Sequence, residues 1–178
     1  MGYATGMEIL PVEPRHIPAL SALAIRTFCD TFAFLYPPED LKAFLAKSYA
    51  QDKLAAEVAD PAQFWRMVWD EAGLAVAYLQ CGPVTLPHAE ADPATQGELK
   101  RLYVDQRAQG KGLGRQLMTV ALDYLAERYG NAPQWIGVWA DNHRAQALYD
   151  RYGFVRAGEY QFAVGNCRDD EFILRRQP

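Results

Sequence analysis

The chain has 178 residues, enough for one domain with a well-buried core; half are apolar and 22% charged, the balance of an ordinary globular protein rather than a disordered one. A net charge of −4 argues against a nucleic-acid partner, and three widely spaced cysteines (Cys29, Cys81, Cys167) with isolated His16, His88 and His143 give neither a disulfide framework nor zinc-ligand spacing. The start MGYATGMEI lacks the pattern of a signal sequence and apolar stretches such as LAVAYLQC at 74–81 are far too short to span a bilayer, so no membrane association and a cytoplasmic location are expected.

In chain order, MEILPV at 7–12 reads as a short strand. HIPALSALAIRTFCDTFAF, after Pro14, repeats apolar residues at helical spacing until Pro37 and Pro38 stop it. PEDLKAFLAKSYA and LAAEVA read as one or two further helices with acidic starts. The period then changes. FWRMVWD at 64–70, GLAVAYLQC at 73–81 and ELKRLYVD at 98–105 are short aromatic or branched runs that read as strands, the last two joined by the polar loop PVTLPHAEADPATQG. RQLMTVALDYLAERYG puts Leu117, Met118, Ala121, Leu122 and Leu125 on one helix face and closes at Gly130. QWIGVWA follows as a strand, and Asn142 is placed to cap HRAQALYDRY, a helix with the stripe Ala145, Leu148, Tyr149 and Tyr152 that ends at Gly153. FVRAGEYQFAVG and DDEFILRR finish the chain as a strand hairpin. The order is mixed α/β without repeats or a linker, so residues 1–178 are expected to form a single domain.

Charge is segregated along this order. Leu99 to Arg115 holds five basic residues (Lys100, Arg101, Arg107, Lys111, Arg115) against Asp105, whereas Asp30 to Glu71 holds eight acidic against four basic, and Val84 to Glu98 three acidic against none. The basic stretch surrounds QGKGLG at 109–114. A glycine loop that leaves a strand and feeds a helix offers bare backbone N–H groups and the positive end of the helix dipole at one point, a cradle for a pyrophosphate. Neither a dinucleotide fingerprint nor a P-loop fits, since Arg115 stands where the former needs glycine and the latter's G-K-[ST] is missing. A tight turn with nothing bound is the simpler alternative for such a loop taken alone.

QGKGLG fits the Q/R-x-x-G-x-G/A signature of the GNAT superfamily of N-acetyltransferases, with Gln109, Gly112 and Gly114 in the defining places. About thirty residues on, WIGVWADNHRAQALYDRYGF resembles that family's second motif. The resemblance covers residues 7–176. It implies a mixed, mostly antiparallel twisted sheet of about seven strands flanked by about four or five helices, with acetyl-CoA in a gap between two central strands. TFCDTFAFLYPPEDLKAFLAKSY, QDKLAAEV, GVWADN and FAVGNCRDDEFILRR are similar to a bacterial branch related to spermidine/spermine N-acetyltransferases, which implies a polyamine or another primary amine as acceptor.

The implied acetyl-CoA site runs through Leu102, Tyr103 and Val104, the loop residues Gln109, Gly110, Lys111, Gly112, Leu113, Gly114 and Arg115, and Asn142 and Tyr149. No metal is expected. An alkylammonium, with a pKa near 10.4, must lose a proton before it attacks a thioester. By position Glu98 matches the carboxylate that some relatives use as base through water; a plain exposed strand carboxylate is the alternative. Tyr149 matches the general acid that protonates the leaving thiolate, and a core tyrosine is its alternative. The oxyanion donor is expected near the backbone N–H of Val104, and alternation puts Glu98, Lys100, Leu102 and Val104 on one face. Trp139, Tyr103 and Phe28 to Phe34 are candidate walls of the acceptor pocket. The expected reaction is direct acetyl transfer in a ternary complex. Protein N-termini, amino sugars or antibiotics remain open as acceptors, and so does a non-catalytic acetyl-CoA sensor. Dimers are common in the family, so a homodimer is compatible with the sequence, though no stretch identifies its interface.

Overall fold

Apolar runs broken by turn residues set the order of elements, which the computed structural model describes for residues 7–178. β1 (Glu8–Pro11) leads through a 3-10 turn into α1 (Ile17–Phe32), α2 (Pro38–Ser48) and α3 (Gln51–Ala59). β2 (Phe64–Trp69), β3 (Ala75–Pro83) and β4 (Gly97–Val104) follow, then α4 (Leu113–Tyr129), β5 (Gln134–Trp139) and α5 (His143–Asp150), and finally the hairpin of β6 (Val155–Val164) and β7 (Cys167–Arg176). The sheet order is β1-β2-β3-β4-β5-β7-β6, antiparallel except for β4 beside β5. That parallel pair is bridged by α4, the crossover connection a parallel pair requires.

Two helical layers cover the sheet. Leu20, Leu23, Ala24, Thr27 and Phe28 of α1 recur at helical spacing and are buried with Leu54, Met67 and Tyr78 on one face. Leu117, Met118, Ala121 and Leu125 of α4 pack on Leu79, Leu99 and Ile136 on the other. One expectation needs correction here: Pro14–Leu35, α1 with its flanking 3-10 turns, is long and apolar enough to cross a bilayer by length and composition. Arg26 and Asp30 break its apolar run in the sequence, and here the apolar stripe faces the sheet.

Two irregularities of β4 shape the site. β4 and β5 pair only at Gly97–Gln134, Glu98–Trp135 and Leu99–Ile136, after which the paired segment ends while both strands run on. Against β3, Gln80 pairs with Arg101 but Cys81 with Leu99, so Lys100 is an extra residue in a β-bulge. The bulge corrects the expected alternation. Leu99, Leu102 and Val104 lie on the α4 face, whereas Glu98, Arg101 and Tyr103 face the opposite cavity.

Candidate active site

Past β4 the chain makes a 3-10 turn at Gln106–Ala108, which Asp105 caps. Its Oδ1 accepts from Arg107 N at 3.0 Å, and its Oδ2 from Arg26 Nε at 2.6 Å and Arg107 Nη2 at 2.9 Å. The Arg107 hydrogen bonds, helped by Arg26 and opposed by burial, hold this carboxyl well below the usual carboxylate range. The glycine loop therefore leaves the sheet from a fixed point. Gly110 and Gly112 both adopt φ +80, a conformation that L side chains rarely take, and a Cβ on either would meet nothing within 4 Å. α4 begins at Leu113 without a side-chain cap; the amides of Arg115 and Gln116 turn back to Gly112 O, and those of Leu113 and Gly114 have no partner within the helix.

Open space above bare backbone at an uncapped helix start suits the pyrophosphate arm of acetyl-CoA. A cavity of about 710 Å³ occupies that space, bounded by the loop, α5 and the diverging ends of β4 and β5. Of the residues expected there, Leu102, Tyr103, Val104, Gln109, Gly110, Gly112, Leu113, Gly114, Arg115, Asn142 and Tyr149 lie on its wall. Lys111 does not: it stands exposed in the loop, and the cations on the wall are Arg115, Arg144 and Arg151 on the helix side with Lys100 and Arg101 of β4. Leu113 has its side chain in the core, so it can offer only backbone. Gln109 acts as a clasp. Its Nε2 donates to Val104 O at 3.0 Å, and its Oε1 accepts from Arg144 of α5.

Asn142 caps α5 as expected, its Oδ1 accepting from Ala145 N at 3.1 Å. Two turns beyond Asn142, Tyr149 is at once part of the core cluster and part of the cavity wall. Burial, with the Glu171 carboxylate second, pushes its hydroxyl up to about 12, so it holds its proton across the neutral range.

On the opposite face of the sheet a second cavity, about 840 Å³, reaches the same gap. Phe28, Phe32, Tyr103 and Trp139 line it as expected, while Phe34 stands 76% exposed outside, its ring tilted on Trp139 at 6.2 Å. Glu98 lies on this wall and is 6% exposed, which corrects the picture of an exposed strand carboxylate. Its Oε2 accepts from Thr85 N at 2.8 Å, Thr85 Oγ1 at 3.0 Å and Lys100 Nζ at 3.2 Å.

Sequence reasoning missed the acids at the other side. Asp169 and Glu171 of β7 face this cavity, and each accepts a hydrogen bond from a tyrosine, Tyr36 and Tyr160 respectively. Their signal was present, since period two in DDEFI puts Asp169, Glu171 and Ile173 on one face. Glu171, Tyr103, Trp139, Phe32 and Gly137 line both cavities, so the two spaces meet where β4 and β5 part.

Residues 24–154 match the model of the acetyltransferase (GNAT) family. The chain is 32% identical over 172 residues, 97% of its own length and 98% of the other, to an uncharacterized N-acetyltransferase in the pepI 3′ region of Lactobacillus delbrueckii subsp. lactis. A shorter match, 38% over 64 residues or 36% of this chain and 42% of the other, relates it to the spermine/spermidine N(1)-acetyltransferase of Bacillus subtilis (strain 168). The PaiA N-acetyltransferase of Thermoplasma acidophilum, solved in complex with coenzyme A, superposes with a TM-score of 0.76 over 97% of this chain and 99% of that one, at 17% identity. A spermidine N-acetyltransferase SpeG chimera from Vibrio cholerae and hSSAT superposes at 0.68 over 97% and 96%, at 18% identity. At such identities the likeness is one of fold.

Proposed function

The chain belongs to the acetyltransferase (GNAT) family and is an acetyl-CoA-dependent N-acetyltransferase; we propose that its acceptor is a polyamine or a similarly cationic primary amine. The observation that carries this reading is the second cavity. Aromatic rings and the carboxylates Asp169 and Glu171 meet there, and among the described residues neither acid forms a salt bridge with a lysine or arginine. Rings and unpaired acids are the chemistry that receives an alkylammonium. The Bacillus subtilis relative, named for spermine and spermidine, supports the same class.

Acetyl-CoA, when bound, supplies the thioester. The glycine loop and the α4 start hold its phosphates, Gln109 fixes the loop to Val104, and the backbone of β4 beyond Leu99 offers donors to the carbonyl oxygen as charge builds there. Tyr149 keeps a proton for the departing sulfur. Glu98, with Oε2 committed to three donors, fixes the Lys100 bulge and the Thr85 turn on the acceptor side. Three free cysteines, Cys29, Cys81 and Cys167, support a reducing, cytoplasmic setting.

The experiment is release of CoA thiol from acetyl-CoA across a panel of spermidine, spermine, lysine peptides, N-terminal peptides, amino sugars and aminoglycosides. Stimulation by spermidine or spermine is expected. Stimulation by another amine alone removes the polyamine assignment, and acetyl-CoA binding without transfer to any amine turns the protein into a sensor.

A further inference from the structure

β7 carries an acid that no motif marks. Glu171 pairs in register with Trp139 of β5 and Tyr160 of β6, and its half-buried side chain accepts a hydrogen bond from the Tyr160 hydroxyl. The neighbouring residue on β5 is Gly137, the first past the segment that pairs with β4. A Cβ at 137 would come to 2.9 Å from the Tyr160 hydroxyl, 3.0 Å from Leu86 Cδ2 and 3.3 Å from Glu171 Oε2. Glycine is thus what lets the tyrosine–glutamate pair lie over the strand at the point where the two central strands part. Glu171 lines both the cofactor-side and the acceptor-side cavity, which Glu98 does not.

We propose that Glu171, held by Tyr160 at the head of the gap, is the carboxylate that receives the acceptor's ammonium and takes its proton. The assignment rests on the reading of the chain as an acetyltransferase of cationic amines. The ammonium gives one proton to Glu171, which returns it to solvent through the acceptor cavity. The freed lone pair forms the C–N bond as the C–S bond breaks, the sulfur takes the Tyr149 proton, and the surplus proton of the new amide nitrogen replaces it. Burial raises the Glu171 carboxyl, Asp169 and Glu98 add to the rise and the Tyr160 hydrogen bond opposes it, which brings the acid closer to the pH at which it must work. The groups facing it are Tyr160 from β6, Asp169 on its own strand, Glu98 and Tyr103 from β4, Tyr149 from α5 and Tyr36 from the turn after α1. Lys100 shares the cavity but is bonded to Glu98, and Arg101 is bonded to Glu57. Tyr160 is a positioning residue.

The test compares wild type, Glu171→Gln, Glu171→Asp, Tyr160→Phe and Glu98→Gln in the full chain. Acetyl-CoA affinity and amine binding in the presence of CoA are measured by calorimetry, and kcat/KM is followed against pH. Glu171→Gln is expected to hold acetyl-CoA within about twofold, to bind amine more weakly, to lose about 100-fold or more in kcat/KM and to lose the acid limb of the profile. Glu171→Asp restores part of that activity. Tyr160→Phe removes the bond that lowers the Glu171 carboxyl, so its acid limb moves to higher pH, a shift that a purely structural tyrosine does not produce. The assignment is overturned if Glu171→Gln keeps both the acid limb and kcat/KM within about threefold of wild type, or if Glu98→Gln alone abolishes that limb. Should wild type acetylate only a non-polyamine amine, the polyamine reading fails while Glu171 is judged on that amine. Should wild type bind and acetylate no amine, both fall.

Discussion

Tyr149 lies on the apolar stripe of α5 and on the wall of the cofactor cavity, so packing and the proposed proton donation draw on one side chain. Removing its hydroxyl separates the two. Tyr149→Phe keeps the ring, so the melting temperature and acetyl-CoA affinity are expected to hold while kcat falls about 100-fold; an unchanged kcat leaves only the packing role. Its proton, held up to about 12, puts the alkaline limit of the wild-type profile well above neutrality. Gly112 makes the complementary case. At φ +80 any side chain costs about 1 kcal/mol, and a glutamate adds a like charge beside the pyrophosphate. Calorimetry on Gly112→Glu should find acetyl-CoA binding weakened about 100-fold or more, and near-normal affinity would refute the cradle. Both residues were legible in the sequence because their motifs are local. Glu171 was legible only in part: period two in DDEFI puts it on one face with Asp169, but nothing within DDEFILRR says which cavity that face meets.

Among the elements, the turn between β4 and α4 ties the sheet to the cradle through Asp105, which is 2% exposed. Its folded carboxyl is depressed, so the stability it contributes is complete above the unfolded value near 3.9 and fades as pH falls below it toward the folded value. Asp105→Asn is expected to destabilise the fold by about 2 kcal/mol at pH 7, by urea titration, because the bonds from Arg26 and Arg107 lose their charge. The difference from wild type should narrow below about pH 4; a gap independent of pH would assign the effect to packing. The sequence showed the glycine loop and the basic residues around it, with Lys111 and Arg115 as the cradle's charge; Arg115 lines the cofactor cavity and Lys111 does not. Arg144 fills that place because α5 packs beside the loop, and the sequence separates them by a whole crossover. The bulge at Lys100 was equally silent, because one extra residue in a strand leaves the period-two pattern of its neighbours intact while turning Glu98 to the other face.

Across the whole molecule, the parting of β4 from β5 joins two cavities through the sheet, one with backbone amides and arginines, the other with rings and acids. The proposed mechanism holds both substrates there together, and among the described residues no cysteine lines either cavity. Cys81 is fully buried with its thiol pushed well up by burial, and Cys29 is raised by burial and Asp30. Initial-velocity plots against acetyl-CoA and amine are therefore expected to intersect, and mass spectrometry to detect no acetylated cysteine; parallel lines with an acetyl-enzyme would establish ping-pong transfer instead. The sequence by itself determined the order of strands and helices, the glycine cradle and the Asn142–Tyr149 helix, because helical period, turn residues and caps act over a few residues. Only the tertiary structure decided which acids face the second cavity and where the two cavities meet, because a β-bulge, a three-pair parallel contact and the pairing of the last hairpin bring together residues that no local pattern connects.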